Sequence, residues 1–409
     1  MTEQDLPQET RQGNRLIYKW EQYNLTITVD RIINSHRGLS AEVTFDHLHK
    51  GLLHAADMTL MSSSSRETYI RALKARVPDL PFDWPMIVVA VAIMVKRAAG
   101  AGKIERINLM HHLATAQTKW CCYPYLVHNA INVIYGPPGV LKSYLATAIQ
   151  IAILTGDQRI LGIKPGCKHN ALYLDWEDDQ ETHAERLRRL LTPYPNIELI
   201  DFPYTKCFLP LSKLTYELVD FVRAARIELL ILDSTIYLAD GNPNDDETVR
   251  VVKEGLDQLP GTKLLLAHDT KEKGKGIRGS LIWKAMARNV WQIKAHSEAG
   301  QSELHIGLYH DKGNKSRKLP SQGFKVLFDD EGDTTMFQPE QPGRIPELAG
   351  EMSSREHIQQ ILTQPMNVDA ITEVTGISRA TVYKTLERGE GSIFINFGGK
   401  WAKLASGQR

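Results

Sequence analysis

The chain has 409 residues, 42% of them hydrophobic and 24% charged, which is the composition of a globular protein long enough for two or three domains. A formal net charge of +1 excludes a global basic field, so any contact with nucleic acid has to come from local patches. The four cysteines (Cys121, Cys122, Cys167 and Cys207) show no C-x-x-C metal spacing, no basic-then-apolar leader opens the chain, and the best apolar run, residues 86–95, is too short to span a bilayer. These features predict a soluble protein of a reducing cytoplasm, without disulfides and with no membrane partner.

In chain order, residues 1–16 are polar and predict a frayed end. Residues 24–30 and 39–45 alternate with period two and predict paired strands, and residues 66–76 and 84–98 predict helices. The Ala/Gly run at 98–102 breaks the pattern, so residues 1–104 form a small α+β module for structure or assembly. Over residues 105–338 strands alternate with helices. Strands are predicted at 131–135, 171–175, 197–200, 228–232, 262–267, 290–294 and 303–309, with helices at 143–155, 181–191, 213–225 and 248–259. Continuous apolar strands such as 229–232 belong in a sheet covered on both faces. The fold class is therefore α/β with a mostly parallel sheet, and a ligand belongs at the carboxyl ends of its strands. Residues 339–352, rich in Pro and Gly, read as a linker. Three helices at 353–364, 367–375 and 379–388, the last with Ser378 as N-cap, then precede two short strands around Gly398 and Gly399. Three helices and a small hairpin over 353–409 describe a winged helix.

The chemistry concentrates at 133–144. An apolar strand runs into Gly136, Pro137, Pro138, Gly139, Val140, Leu141, Lys142, Ser143 and Tyr144, close to the phosphate-loop pattern G-x-x-x-x-G-K-[ST]. Backbone N–H groups would curl around phosphate oxygens, Lys142 would meet the β/γ-phosphates, and Ser143 would hold Mg²⁺. Leu141 stands where the pattern has glycine, which denies the loop the freedom of a residue at φ > 0. The strand at 229–233 delivers Asp233, a second Mg²⁺ group. The strand at 171–175 leads to Glu177, a carboxylate placed to polarise an attacking water, while Asp178 and Asp179 open the next helix. His268 ends a further apolar strand where it could touch a γ-phosphate. The glycine-rich loop 269–279 carries Lys271, Lys273, Lys275 and Arg278. Such a loop is either a contact for the phosphates of a nucleic acid or a solvated surface turn.

On these residues the chain resembles the RecA/DnaB-like ATPases and, within them, the RepA-type hexameric helicases, over about residues 115–330. Asp175-Trp176-Glu177 is similar to the family's D-x-E segment, whose Glu activates water, and Leu232-Asp233-Ser234 is similar to its Walker B strand end. The resemblance implies a RecA-like ATPase core, His268 as a γ-phosphate sensor and loop 269–279 as a DNA-binding loop. It also implies that Lys315 and Arg317 are the K-x-R pair reaching a neighbouring subunit's ATP, with Lys312, Arg278 and Arg288 as rival fingers, and a hexameric ring or filament. The C-terminal piece resembles helix-turn-helix domains, with turn glycine Gly376, apolar Ile377 and Val382, and Arg379, Ala380, Thr381 and Lys384 facing DNA. A winged helix used for protein contacts is the other reading of that piece.

Together these readings predict a Mg²⁺- and ATP-dependent motor on single-stranded DNA, a replicative helicase of RepA type, with possible duplex contact through the winged helix. The rival, from another class, is an ATP-switched DNA-binding initiator, loader or regulator without processive unwinding. A small-molecule kinase is disfavoured, because a winged helix has little purpose there.

Overall fold

Strands buried on both faces need a layer of helix on each side, and the computed structural model shows that arrangement. It describes residues 7–12, 15–35, 38–100, 110, 117–163, 165–166, 169–198, 201–270, 276–298, 300–314 and 317–404. Two units form the chain, Met1–Ala116 and Gln117–Arg409.

In the first unit, β1 (Gln8–Gln12), β2 (Arg15–Trp20), β3 (Leu25–Ser35), β4 (Gly38–His47) and β5 (Gly51–Thr59) form an antiparallel sheet in sequential order. Helices α1 (Ser63–Arg76) and α2 (Trp84–Gly100) cover one face. Strict alternation puts Leu39, Ala41, Val43 and Phe45 of β4 under the helices and leaves Ser40, Glu42 and Thr44 on the other face. The polar stretch 1–16 is not frayed throughout: β1 pairs with β2, and Leu16 is a core residue.

The second unit opens with a small antiparallel pair, β6 (Trp120–Cys122) and β7 (Leu126–Val127). Its nine-stranded sheet is built from β8 (Ile131–Gly136), β9 (Ala171–Asp175), β10 (Tyr204–Lys206), β11 (Leu229–Asp233), β12 (Thr262–His268), β13 (Asn289–His296), β14 (Glu303–Gly313), β15 (Gln322–Asp329) and β16 (Thr334–Glu340). The order is β10-β9-β11-β12-β8-β13-β14-β15-β16; the strands from β10 to β13 are parallel and those after β13 antiparallel. Helices α3 (Lys142–Thr155) and α4 (Gln180–Leu191) pack on one face. Helices α5 (Leu211–Ala224), α6 (Asp246–Gln258) and α7 (Ile282–Met286) pack on the other. Successive strand residues divide between the layers: Ile231 and Leu266 meet α3, whereas Leu230, Leu232 and Leu265 meet α5 and α6. The sheet is thus a mixed α/β sheet with a large parallel part.

One predicted strand is misplaced. Ile197 and Glu198 lie in an irregular stretch after a turn, and the edge strand is Tyr204–Lys206, too short and polar to show a period. Residues 199–200 lie outside the described residues. The stretch read as a linker is also ordered: β16 runs to Glu340, a 3₁₀ turn spans Pro342–Arg344, and α8 spans Pro346–Ala349, with Pro342, Gly343, Leu348 and Ala349 buried. Beyond it come α9 (Ser354–Ile361), α10 (Val368–Thr375), α11 (Arg379–Gly389), β17 (Phe394–Phe397) and β18 (Lys400–Lys403). The side chain of Ser378 accepts the Thr381 N–H as the N-cap of α11, and Gly376 closes α10.

This C-terminal piece is bonded to the sheet. Ser321 N–H donates to Glu356 Oε1, Gln360 Nε2 donates to Ser321 O at 3.3 Å, and Tyr309 OH donates to Leu348 O at 2.6 Å. The Lys294–Glu351 ion pair and a 3.6 Å approach of His296 Nε2 to Glu347 join β13 to the same stretch. Backbone held this way resists proteases despite its Pro/Gly composition. Limited proteolysis of the native protein is expected to leave 341–352 intact; early cleavage there would show the stretch to be a free linker.

Candidate nucleotide site

Parallel register brings four strand ends to one edge of the sheet, within two residues of one another. His268 of β12 lies opposite Gly136 of β8, while Asp233 of β11 lies opposite both Leu266 of β12 and Asp175 of β9. The 136–144 loop, His268, Asp233 and the turn bearing Glu177 therefore converge at the carboxyl edge of the sheet.

The loop has the backbone that phosphate binding requires. A Cβ on Gly136 would sit 2.3 Å from Ile293 O, so only glycine lets β8 pass β13 here. Gly139 has φ +79° with open space where a side chain would be. Leu141 adopts φ +63° and ψ +29°, the left-handed region that the glycine of the pattern occupies without strain, and stands at the N-cap of α3. Lys142 is buried and donates from Nζ to Gly136 O at 3.1 Å and Pro137 O at 2.7 Å. Burial pushes its pKa down, against the pull of Asp233 and Glu177.

Ser143 Oγ donates to Asp233 Oδ2 at 2.7 Å, and Tyr173 OH donates to the same oxygen at 2.7 Å. Burial pushes the Asp233 carboxyl up, and these two hydroxyls pull it back. A buried carboxylate and a hydroxyl at hydrogen-bond distance are the hard oxygen donors that Mg²⁺ prefers, so the residues present fit that ion. Among the described residues no cluster of three or more His, Cys, Asp or Glu is placed to hold a metal. Glu177 is exposed, its side chain 36% accessible, and its Oε2 lies 3.5 Å from His268 Nε2. That contact, with help from Ser234 and Lys142, holds the Glu177 carboxyl below its ordinary value of 4.5. Ser234 follows Asp233 through a cis peptide and is fully buried, with its hydroxyl beside the Glu177 carboxylate.

Lys142, Ser143, Asp233, Glu177 and His268 are thus brought together. Lys271, Lys273, Lys275 and Lys315 lie outside the described residues. Arg317 is exposed on the connection after β14, whose Gly313 end pairs with Asn289 at the amino ends of β8 and β13, across the sheet from this site. Arg288 belongs to that far end too, its N–H donating to Ile131 O. Arg278 is beside the site, its N–H donating to His268 O at 2.7 Å. Lys312 is committed elsewhere: Nζ donates to Lys284 O, Ala285 O and Ala287 O at 2.8–2.9 Å and closes the end of α7, which removes it as a rival finger. Arg379, Thr381 and Lys384 are exposed on α11, and Arg379 pairs with Asp369 at 2.6 Å. Tyr173 and Arg186 escaped sequence reading. Tyr173 looks like one more apolar strand residue, and Arg186 only joins the site by folding over Tyr144 and pairing with Asp178 at 2.5 Å.

Comparison with known proteins agrees with this geometry. Residues 107–274 match the family model of the AAA domain. The chain carries a P-loop ATPase domain. Nucleotide binding, typically with Mg²⁺, follows for that part of the chain. Among solved structures, the flagellar accessory protein FlaH from Methanocaldococcus jannaschii is similar at 13% identity and a TM-score of 0.37, over 52% of this chain and 90% of that one. A search of curated proteins finds no match. No helix among the described residues is long and apolar enough to cross a membrane.

Two outcomes follow from the site. A left-handed residue with a Cβ costs about 1–2 kcal/mol, so Leu141→Gly relieves strain while losing half-buried packing; Leu141→Ala loses the packing and keeps the strain. Thermal unfolding should rank Leu141→Ala below Leu141→Gly, and the reverse order would contradict the strain. The lowered pKa of Glu177 stabilises the fold above about pH 4.5, and this contribution is lost as pH falls through the folded value. His268→Ala should therefore lower the denaturation midpoint near neutral pH, with the deficit shrinking in acid. A deficit that persists undiminished below the folded pKa would contradict the pairing.

Proposed function

We propose that this chain is a Mg²⁺-dependent ATPase of the RecA/RepA helicase type, working as a motor on single-stranded DNA. The observation that carries the reading is the 2.7 Å Ser143–Asp233 contact, set between a buried Lys142 and a Glu177 carboxylate held ionised by His268. Backbone N–H groups of the loop and the N-terminus of α3 cradle phosphate, and Lys142 turns from the loop carbonyls to the β/γ-oxygens. Ser143 and Asp233 hold Mg²⁺, which when bound neutralises charge on those oxygens. Glu177 orients the attacking water and accepts its proton, and His268, 3.5 Å away, helps to fix the carboxylate's direction.

In this reading the active form is a hexameric ring or filament. Lys315 or Arg317 of one subunit completes the site of the next. Loop 269–279 contacts the phosphates of single-stranded DNA. The three helices and hairpin of residues 353–404 act as a winged helix. Arg379, Thr381 and Lys384 lie on its exposed helix face, where a DNA phosphate competes with Asp369 for Arg379.

A second reading, an ATP-switched DNA-binding initiator, loader or regulator, is favoured by one observation. The C-terminal helices are bonded to the sheet through Glu356, Gln360 and the β13 contacts, so a change at the loop can reach them without any movement along DNA.

Steady-state ATPase rates with and without single-stranded DNA, with Lys142→Ala as the blank, separate these readings. The motor reading expects DNA-stimulated turnover that Lys142→Ala reduces by about 10²–10³-fold. ATP binding with negligible turnover, indifferent to DNA, would overturn it and leave the switch.

A further inference from the structure

Glu177 has few side-chain restraints of its own: one long contact to His268, and the neighbouring Ser234. Its place is set by its backbone, and that backbone is held by a carboxylate. Asp175, the last residue of β9, is fully buried, and its Oδ1 accepts the N–H of Glu177 at 2.8 Å and of Asp178 at 3.0 Å. Oδ2 accepts Tyr204 OH at 2.8 Å and lies 3.3 Å from His183 Nε2. Burial pushes this carboxyl up, but the donors His183, Glu177 N–H, Tyr204 and Asp178 N–H together hold it below the ordinary range. A charge so deeply buried is tolerable only when fully bonded, as it is here.

The same cluster touches the other carboxylate. The His183 ring, 3% exposed, lies between Tyr173 (ring centroids 4.5 Å apart) and Tyr204 (4.9 Å). Tyr173 OH in turn donates to Asp233. Asp233, Tyr173, His183, Asp175 and the Glu177 backbone thus form one buried chain running beneath the site.

We propose that Asp175, locked by His183 and Tyr204, is the positioning residue for Glu177, and that Tyr173 ties it through the His183 ring to Asp233, so that one buried cluster sets the spacing of the two carboxylates. The inference rests on the ATPase reading and adds to it a role for four residues that touch neither nucleotide nor metal.

The test is a double-mutant cycle of Asp175→Asn and Glu177→Gln, with hydrogen exchange as a readout that needs no turnover. Asn keeps the size of Asp175 and one acceptor, but offers an NH₂ to Tyr204 and His183, which unlocks the side chain. Asp175→Asn is expected to lower kcat about ten- to a hundredfold with KM for ATP within about twofold, as a small misplacement of a catalytic group does. In the Glu177→Gln background it should cost almost nothing further, because its effect runs through Glu177. Amide exchange at Glu177 and Asp178 should rise while that of β11 and α3 stays as in the wild type. Tyr204→Phe, which removes one donor on the edge strand, should repeat the pattern in weaker form if Asp175→Asn folds poorly. An unchanged kcat in Asp175→Asn, an equal loss in both backgrounds, or unaltered exchange at 177–178 would overturn the inference while leaving ATPase activity intact. Absence of turnover in the wild-type protein would instead sink the ATPase reading and this inference with it.

Discussion

Hydrogen-bond register between parallel strands is the constraint on which the site depends. β8, β12, β11 and β9 are each apolar and covered on both sides, and their carboxyl ends fall within two residues of one another. Residues far apart in the chain, from Gly136 to His268, become neighbours for that reason alone. A one-residue slip would turn Asp233 or Tyr173 into the opposite helix layer, so burial of alternate residues in two separate cores protects the chemistry as well as the fold.

The two carboxylates are then driven apart by environment. Asp233 is almost fully enclosed and held by two hydroxyls, which suits a group that stays in place and binds a cation. Glu177 is exposed, and His268 holds its carboxyl below the ordinary value. Pairs of titratable groups whose surroundings push them in opposite directions are how a site divides labour between holding charge and moving protons. Lys142 is bonded back to the carbonyls of its own loop, which hold the cation beside the place a phosphate would take.

Much of this was legible in the residues. A Gly/Pro turn followed by Lys142 and Ser143 announces itself by its pattern; a strand-end Asp or His alone is as readily a capping or locally satisfied residue, and Asp233 gains meaning from its distance beyond Lys142. The departure at Leu141 was visible too, and the structure adds that the leucine adopts the glycine's backbone geometry rather than avoiding it. What was not legible depends on tertiary contact. The edge strand Tyr204–Lys206 is defined by pairing with β9, not by any period. The stretch at 342–349 has the composition of a linker, yet is packed because Tyr309 and Gln360 reach it. Lys312 looked like a free cation in a basic run, and three carbonyls of the 284–287 stretch occupy it. Tyr173 and His183 carry no local signal at all; only the fold brings them under Glu177.

The central claim is that this strand-end cluster is built for a nucleotide triphosphate with Mg²⁺, and a crystal structure with Mg²⁺ and a non-hydrolysable ATP analogue tests it most directly. The phosphates should lie against the backbone of 136–143, with the ion on Ser143 beside Asp233 and Glu177 facing the terminal phosphate. A nucleotide bound elsewhere, or an ion held away from Ser143 and Asp233, would contradict it.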